Sequence, residues 1–201
     1  VDTGILRALK LFYQRFEEDK RAHIVYAKKL HRLRSCPIII QYHHKGTCTI
    51  RRKKVEFLIS EFVDGEVLSD FFKNNSRKRL SLFEALHIFY ALADGVDYIH
   101  SLREYHGDLH ADNIIVQRKG LNFDVKLIDI LHLGRYTKAR MQEDVYDLID
   151  ILYEMIGGSR YYKHASHIAK NIIMGRKKKL ISKKFKNARH IKEHILNLEW
   201  V

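Results

Sequence analysis

The stretch YHGDLHADNIIV, residues 105–116, changes from a polar loop to an apolar run within a few residues. A second short apolar run, VKLI at residues 125–128, follows after QRKGLNFD, and such a pair predicts a β-hairpin. Asn113 precedes the first predicted strand and Asp129 follows the second. Since these two positions lie at the same open end of an antiparallel hairpin, we expect them about one strand spacing, ~5 Å, apart.

Three oxygen-bearing side chains are therefore expected to converge at the open end of this hairpin. Asp108 lies on the same loop as Asn113 and can face the same point as Asn113 and Asp129. Such a set, with no lysine or arginine among its members, suits Mg²⁺, which takes one or two protein carboxylates plus phosphate oxygens and water. The alternative is that Asp108 and Asp112 cap turns while Asn113 satisfies backbone amides of the loop.

These residues are part of a longer pattern, YIHSLREYHGDLHADNIIV followed by VKLIDI. The pattern resembles the catalytic and metal-binding segments of the protein-kinase-like superfamily, which read H-x-D-x-x-x-x-N, then a hairpin, then an aspartate. ALKLF resembles the strand that carries the phosphate-contacting lysine, here Lys10, and LISEFVDGEVL resembles the hinge between the lobes. EDVYDLIDILYEM resembles the buried helix whose leading aspartate, Asp144, binds the catalytic-loop backbone. The closing FKNARHIKEHILNLEW resembles bacterial serine/threonine-kinase-like proteins.

The resemblance implies an α+β, protein-kinase-like bilobal fold with an incomplete N-terminal β lobe and a mainly helical C-terminal lobe. Residues 1–63 would form the partial N-lobe, with the lysine strand, a basic helix from about Tyr13 to Arg34, two strands around a polar turn containing Gly46, and the hinge. Residues 64–201 would form the C-lobe, with the catalytic loop, the hairpin and basic helices that finish the chain at Trp200.

Two helices of the second half carry strong local signals. Ser81 with Glu84 three residues later forms a capping box ahead of a long amphipathic helix. The segment DVYDLIDILYEMI is apolar on nearly every side of a helix, which predicts a central buried helix that ends at the following GG.

The resemblance also assigns roles to individual residues. Asp108 would orient the acceptor hydroxyl and take its proton late, and Lys10 would neutralise phosphate oxygens of ATP. Asn113 and Asp129 would hold Mg²⁺ on the phosphates. The adenine would meet backbone groups of Glu61 and Val63, whose side chains are expected to matter little. Ser60, just before Glu61, predicts a roomy pocket that admits bulky adenine analogues.

The chain departs from the family pattern at its N-terminal end. The glycine-rich loop that covers the phosphates is missing, and we expect a truncated or trimmed chain that starts near the lysine strand. The helix glutamate that pairs with the lysine should fall near Ala27, which is not acidic, while Glu17 and Glu18 come two or three turns earlier. The partner of Lys10 is therefore open.

Further departures lie around and after the catalytic loop. Gly107 stands where protein kinases carry an arginine, and His110 replaces a lysine, as in aminoglycoside- and choline-kinase-like enzymes. The four-residue spacing of His106 and His110 also occurs in zinc sites on helices, but Gly107 and the loop context argue against zinc here. About fifteen residues separate Asp129 from Asp144, with DIL in place of D-F-G, and so short a segment is a small platform for a peptide acceptor.

Composition narrows the class of protein. The two cysteines form no CxxC pair, which argues against a disulfide framework or a structural zinc site and favours a reducing, cytoplasmic location. No apolar stretch reaches the ~20 residues of a membrane span. The net charge of +13, with clusters at RRKK, KKLHRLR and GRKKKLISKKFK, favours an acidic partner. The alternative is that these clusters are solvated faces.

Three functions remain open from the sequence. The first is an ATP- and magnesium-dependent serine/threonine protein kinase. The second is a kinase for a small molecule or a lipopolysaccharide sugar, which the short segment after Asp129 and the basic surface would suit. The third is a pseudokinase or basic binding module, against which the retention of Lys10, Asp108, Asn113 and Asp129 argues.

Overall fold

The computed structural model describes residues 4–12, 22–130 and 134–199, with backbone only for residues 22–27. The described strands are β1 (Arg7–Phe12), β2 (Tyr42–Ile50), β3 (Lys53–Glu61), β4 (Glu66–Val67), β5 (Ile114–Lys119) and β6 (Asn122–Leu127). The described α-helices are α1 (Ala22–Leu33), α2 (Leu68–Asn74), α3 (Leu82–Ser101), α4 (Lys138–Met155), α5 (Gly158–Tyr162), α6 (His167–Ile173), α7 (Lys178–Lys184) and α8 (Ala188–Leu196). Short 3₁₀ turns occupy Ala111–Asn113 and Met174–Arg176.

The first sheet is antiparallel, in the order β1-β3-β2. Strands β2 and β3 lie where two strands were predicted, but the predicted turn at Gly46 is wrong. Gly46 lies inside β2 opposite Phe57, and a Cβ there would come within 2.5 Å of the Phe57 ring. The glycine therefore allows the Phe57 ring to pack closely against the β2 backbone. The turn is made instead by Arg51 and Arg52 at φ 48° and 64°. Arginines rarely adopt this left-handed conformation, so the sequence carried no turn signal there.

Helix α1 is the described part of the predicted basic helix. It runs from Ala22 to Leu33, and Leu30 and Leu33 are buried as the helical spacing indicates. Pro37 lies four residues beyond the helix end. Residues 13–21, which include Glu17 and Glu18, lie outside the described residues.

Helix α3 begins at the predicted capping box. The Ser81 hydroxyl accepts a hydrogen bond from the Glu84 amide, and the Glu84 carboxylate accepts one from the Ser81 amide. Because this reciprocal pair satisfies two amides that would lack helical partners, it starts the helix at Leu82. Ten residues of α3 are buried, and the helix packs against both α4 and α8.

The second sheet contains the predicted hairpin. Its order is β4-β5-β6, and Ile114 pairs with Leu127 at the open end of the β5–β6 hairpin. Buried Ile114, Val116 and Leu127 anchor one face of the hairpin in the core. The Leu127 amide also donates to the Ile38 carbonyl at 2.5 Å, so the segment after α1 is tied to this hairpin.

Helix α4 is the predicted central helix. Its buried residues lie around much of its circumference: Asp144, Val145, Leu148, Ile149, Ile151, Leu152 and Met155. After α4, Gly157 adopts φ 102°, a left-handed conformation that favours glycine, and α5 starts at Gly158.

Asp147 on α4 gives the protein a predictable pH dependence. Burial, then the nearby carboxylates of Asp144, Glu143 and Asp150, raise the pKa of Asp147 to about 7. The folded state therefore holds a proton that the unfolded state has lost, and stability falls as the pH rises from about 4 to 7. Because Asp147 is only partly buried, solvent screening keeps this cost below the full value of about 1.4 kcal/mol per pH unit. We expect Asp147→Asn to exceed wild type in stability by about 2–4 kcal/mol at pH 8.

Urea unfolding at pH 4 and pH 8 would check this expectation. The stability difference between Asp147→Asn and wild type should nearly vanish at pH 4. Asp124→Asn is the control, since Asp124 pairs with Lys119 at the surface and is not among the carboxylates that raise the pKa of Asp147. A difference for Asp147→Asn that is the same at both pH values would contradict the assignment.

The described chain is thus a mixed helix and sheet fold with two small antiparallel sheets, as the predicted α+β class requires. The division into lobes at residue 63 stays a prediction. Within the described ranges, no helix combines the length and apolar character needed to cross a membrane. Helix α8 ends at Leu196. Trp200, where the closing basic helices were expected to end, lies outside the described residues.

Candidate active site

One buried carboxylate binds the backbone of the polar loop that begins at His106. Asp144 is fully buried and accepts hydrogen bonds from the amides of His106 and Gly107, each at 2.8 Å. His100 Nε2 lies 2.9 Å from the same side chain. The contact between Asp144 and the loop backbone, which the resemblance implied, is therefore present.

His106 is a structural residue of the loop. Its ring is fully buried, with Nε2 3.2 Å from the Ile128 carbonyl and Nδ1 3.3 Å from the Asp108 amide. Burial lowers the pKa of His106 to about 4, so the ring is neutral at pH 7. Both ring nitrogens of His106 therefore have partners within the protein. No group of three His, Cys, Asp or Glu side chains suited to a metal occurs in the described part of the chain.

Gly107 is explained by backbone geometry. Its φ of 82° lies in the left-handed region, where a residue with a Cβ is strained. In this structure an arginine at that position would have to adopt the same conformation. The glycine at this position therefore avoids backbone strain.

Asp108 projects from the loop with its side chain 59% exposed. Asn113, which is buried, donates from Nδ2 to the Asp108 carbonyl at 2.9 Å and to the Asp108 carboxylate at 3.3 Å. His110 Nε2 lies 2.8 Å from the same amide nitrogen. The loop thus uses the nitrogen of Asn113 internally and leaves its side-chain oxygen without a hydrogen bond among the described residues.

Asp129 is brought beside Asn113 by the hairpin. The Ile128 amide donates to the Asn113 carbonyl at 3.0 Å, so the ladder extends to the residue just before Asp129. Asp129 has φ 59°, a conformation that only a few non-glycine residues adopt, aspartate among the more tolerant. The backbone just after the hairpin therefore carries a carboxylate at a residue in the left-handed conformation.

Lys10 forms an ion pair with Asp129. The Lys10 ammonium donates to Asp129 Oδ1, and both side chains are a little more than one-third exposed. Lys10 reaches this point from β1, where it stands opposite Leu58 of β3. The structure thus provides an acidic partner for Lys10 from the hairpin, a pairing that the sequence analysis did not consider.

These groups fit a magnesium–nucleotide. One carboxylate and one amide oxygen are ligands of the type that Mg²⁺ prefers, and a lysine ammonium beside them suits phosphate oxygens. Asn113 and Asp129 would hold the metal, and Lys10 would contact the phosphates. Asp108, on the adjoining loop, is exposed to an incoming acceptor.

The predicted adenine-binding residues lie at the end of β3. The backbone of Val63 makes no hydrogen bond among the described residues, whereas the Glu61 amide already donates to the Gln41 carbonyl at 2.8 Å. The Glu61 carboxylate accepts from the Gln41 amide at 2.9 Å and from Lys126 at 2.8 Å. Burial acts to raise the pKa of Glu61, but these two contacts outweigh it and lower the pKa.

The Glu61 side chain has a structural role, since its carboxylate ties the end of β3 to Lys126 of β6. That this side chain matters little for adenine binding stays a prediction. Ser60 is buried, and its hydroxyl lies 3.3 Å from the Glu61 carbonyl.

A cavity of about 460 Å³ opens beside the loop. His110, Ala111 and Asp112 form the loop side of this cavity, and Ser69 donates to Asp112 at 2.5 Å. The other lining residues come from α2, α4, the turns that follow these helices and the start of α5: Phe72, Lys73, Lys78, Glu154, Gly157 and Gly158. The sequence carries no local signal for this group of residues, because its members are spread over some ninety positions.

Comparison with known proteins agrees with the geometry. Residues 1–145, more than half of the chain, match the family model described as "Protein kinase domain". Tyrosine-protein kinase SPK-1 of Girardia tigrina is 27% identical over 133 residues, which cover 64% of this chain and 26% of that protein. CBL-interacting protein kinase 1 of Oryza sativa subsp. japonica is 30% identical over 125 residues, covering 62% of this chain and 24% of that protein.

A shorter match is more similar in sequence. CBL-interacting serine/threonine-protein kinase 8 of Arabidopsis thaliana is 41% identical over 64 residues, covering 32% of this chain and 14% of that protein. In each of these three relatives, the matched part spans about a quarter of the relative's length or less. The family match, together with a loop, hairpin and lysine strand in the expected order, shows that the chain belongs to the protein kinase family.

Proposed function

We propose that this protein is an ATP- and magnesium-dependent phosphotransferase that acts on hydroxyl groups as a serine/threonine protein kinase. The observation that carries the proposal is the meeting of Lys10 and Asp129 beside the loop that holds Asp108 and Asn113. Of the relatives reported above, one is named a serine/threonine-protein kinase and one a tyrosine-protein kinase, so the acceptor residue is the finer part of the proposal.

The proposed mechanism consists mainly of positioning. Lys10 binds phosphate oxygens, and Asn113 and Asp129 hold the metal, which supplies charge neutralisation when it is bound. Asp108 orients the acceptor hydroxyl and takes its proton as the new bond to phosphorus forms. Asp144 keeps the loop backbone in place through the amides of His106 and Gly107. Little covalent chemistry is required of the protein, since such reactions depend on alignment and electrostatic stabilisation.

A small acceptor is the second candidate. The cavity beside His110 and Asp112 contains both acidic and basic side chains, Glu154 and Asp112 facing Lys73 and Lys78 among them. A volume of about 460 Å³ falls within the range of small-molecule sites. The cavity would suit a polar metabolite or a sugar of lipopolysaccharide as well as one side chain of a protein acceptor. The pseudokinase reading is the third candidate.

The location and the acidic partner remain predictions. Both cysteines, Cys36 and Cys48, are free thiols, which supports a reducing compartment such as the cytoplasm. The exposed RRKK turn between β2 and β3 supports an anionic partner.

Nucleotide binding tests the first step. We expect calorimetry to detect ATP binding that requires Mg²⁺ and that falls at least tenfold in Asp129→Asn, because the variant loses a charged ligand and the partner of Lys10. Asp124→Asn is the matched control, since Asp124 lies on β6 and pairs with Lys119 at the surface. Equal Mg²⁺-dependent affinity in wild type and Asp129→Asn would contradict the proposed site.

Labelling of acceptors separates the candidate functions. Incubation with γ-labelled ATP and a cell extract should transfer label to protein if the chain is a protein kinase. Label confined to small-molecule or glycolipid fractions would favour the second candidate. Absence of any transfer, combined with Mg²⁺-dependent ATP binding, would favour a pseudokinase.

A further inference from the structure

The aromatic ring just before the catalytic loop is in contact with two cations. Tyr105 is almost fully buried, at 1% exposure. The Lys29 ammonium lies 4.7 Å from the ring centroid and the Arg140 guanidinium 5.0 Å from it. Arg140 also donates to the Tyr105 hydroxyl. Residues from α1 and α4 thus hold one side chain that directly precedes His106.

Lys29 binds the backbone of this segment as well as the ring. Its ammonium donates to the Tyr105 carbonyl at 2.7 Å, and the residue is 4% exposed. One turn later on α1, Arg32 pairs with Glu104 at 2.5 Å. Helix α1 is therefore joined by two cationic side chains to the two residues before the catalytic loop.

A buried lysine ammonium is less favourable for packing alone than an apolar side chain would be. Removing such a charge from water costs several kcal/mol, and an apolar side chain of similar length often packs at least as well. What the ammonium adds is a directed, charge-assisted hydrogen bond to a single carbonyl oxygen. The main effect of this hydrogen bond is therefore to fix the position of the Tyr105 backbone, and its net contribution to the free energy of unfolding is small.

We propose that Lys29 is a positioning residue that fixes the catalytic loop relative to helix α1 through Tyr105, and so holds Asp108 in its reactive orientation. This inference rests on the proposed kinase function for its effect on activity. The contacts that Lys29 and Arg140 make with Tyr105, called the clamp below, are a property of the folded chain and are testable without ATP.

The protonation state of Lys29 makes the clamp sensitive to pH. Burial lowers the pKa of Lys29 to about 8, Arg140 also lowers it, and the carboxylates of Glu104 and Asp144 oppose this. His106, which packs on the same segment, is neutral because its own pKa is about 4. As the pH rises through 8, Lys29 loses its proton, and the cation–π and charge-assisted contacts weaken.

Hydrogen exchange of the full chain tests the clamp. We expect Lys29→Met to reduce the protection factors of amides in residues 104–109 by at least tenfold, while those in α3 change little. Lys28→Met is the matched control, since Lys28 is the exposed neighbour on the same helix. In wild type the loop protection should fall between pH 7 and pH 9, and in Lys29→Met it should be independent of pH. Unchanged protection in Lys29→Met would overturn the proposal.

Phosphotransfer kinetics provide the second readout. We expect Lys29→Met to lower kcat at least tenfold at pH 7 with little change in the KM for ATP, because Lys29 contacts Tyr105, which is not one of the proposed nucleotide-binding residues. The wild-type kcat should decline above pH 8, and that decline should be absent from the residual activity of Lys29→Met. A wild-type chain without phosphotransfer would contradict the proposed function, and the exchange data would still decide the clamp. Normal kcat in Lys29→Met would overturn the role in catalysis.

Discussion

Asp108→Asn is expected to lower the rate constant for phosphotransfer by about 10²- to 10⁴-fold, the usual contribution of a general base. The side chain is 59% exposed, and its carboxylate is contacted at 3.3 Å by the Asn113 amide. Asparagine keeps the size and one oxygen but cannot accept the acceptor's proton. The affinity for ATP and the unfolding free energy should change little, since the carboxylate is neither buried nor a proposed ligand of the metal.

Transfer of labelled phosphate under single-turnover conditions would measure this effect, with Asp124→Asn as the control at a surface position. Calorimetry on the same preparation would separate chemistry from binding. A rate constant within threefold of wild type would remove Asp108 from the mechanism. A large loss of ATP affinity would instead assign it to the metal site.

Asp144→Asn is expected to produce the largest loss of stability of any conservative change in the catalytic region, about 3–5 kcal/mol. Asp144 is fully buried, and its two oxygens accept from the amides of His106 and Gly107. Asparagine replaces one oxygen with a donor, so at least one N–H group would face another N–H group without a partner. Loss of these contacts should also release the loop that carries Asp108.

Urea unfolding at pH 7 would measure the stability change. Asp150→Asn, on the same helix, should cost less than about 1 kcal/mol because the Asp150–Arg176 pair is exposed. Hydrogen exchange should show lower protection at residues 106–108 in Asp144→Asn than in the control. Wild-type stability in Asp144→Asn would show that the buried carboxylate is not what holds the loop.

Several features were predictable because their causes are local. The capping box at Ser81 and Glu84 depends on two residues one helical turn apart, and the β5–β6 hairpin depends on two apolar runs and a short turn. The turn at Arg51 and Arg52 was not predicted, because arginine is not a residue that usually adopts the left-handed backbone of such a turn. The local sequence therefore carried no signal for it.

The sequence by itself determined the order of the candidate site: a lysine strand, a loop with Asp108 and Asn113, a hairpin and Asp129. That information is carried by residue type and spacing along the chain. The tertiary structure decided which partners these residues have, as in the pairing of Lys10 with Asp129, which is 119 positions away. It also placed Lys29 against Tyr105, 76 positions away. Lysine is usually a surface residue, but here it is buried and its ammonium binds the backbone before the catalytic loop. Contacts of this kind depend on how α1, the hairpin and α4 pack together, and no local pattern encodes the distances between them.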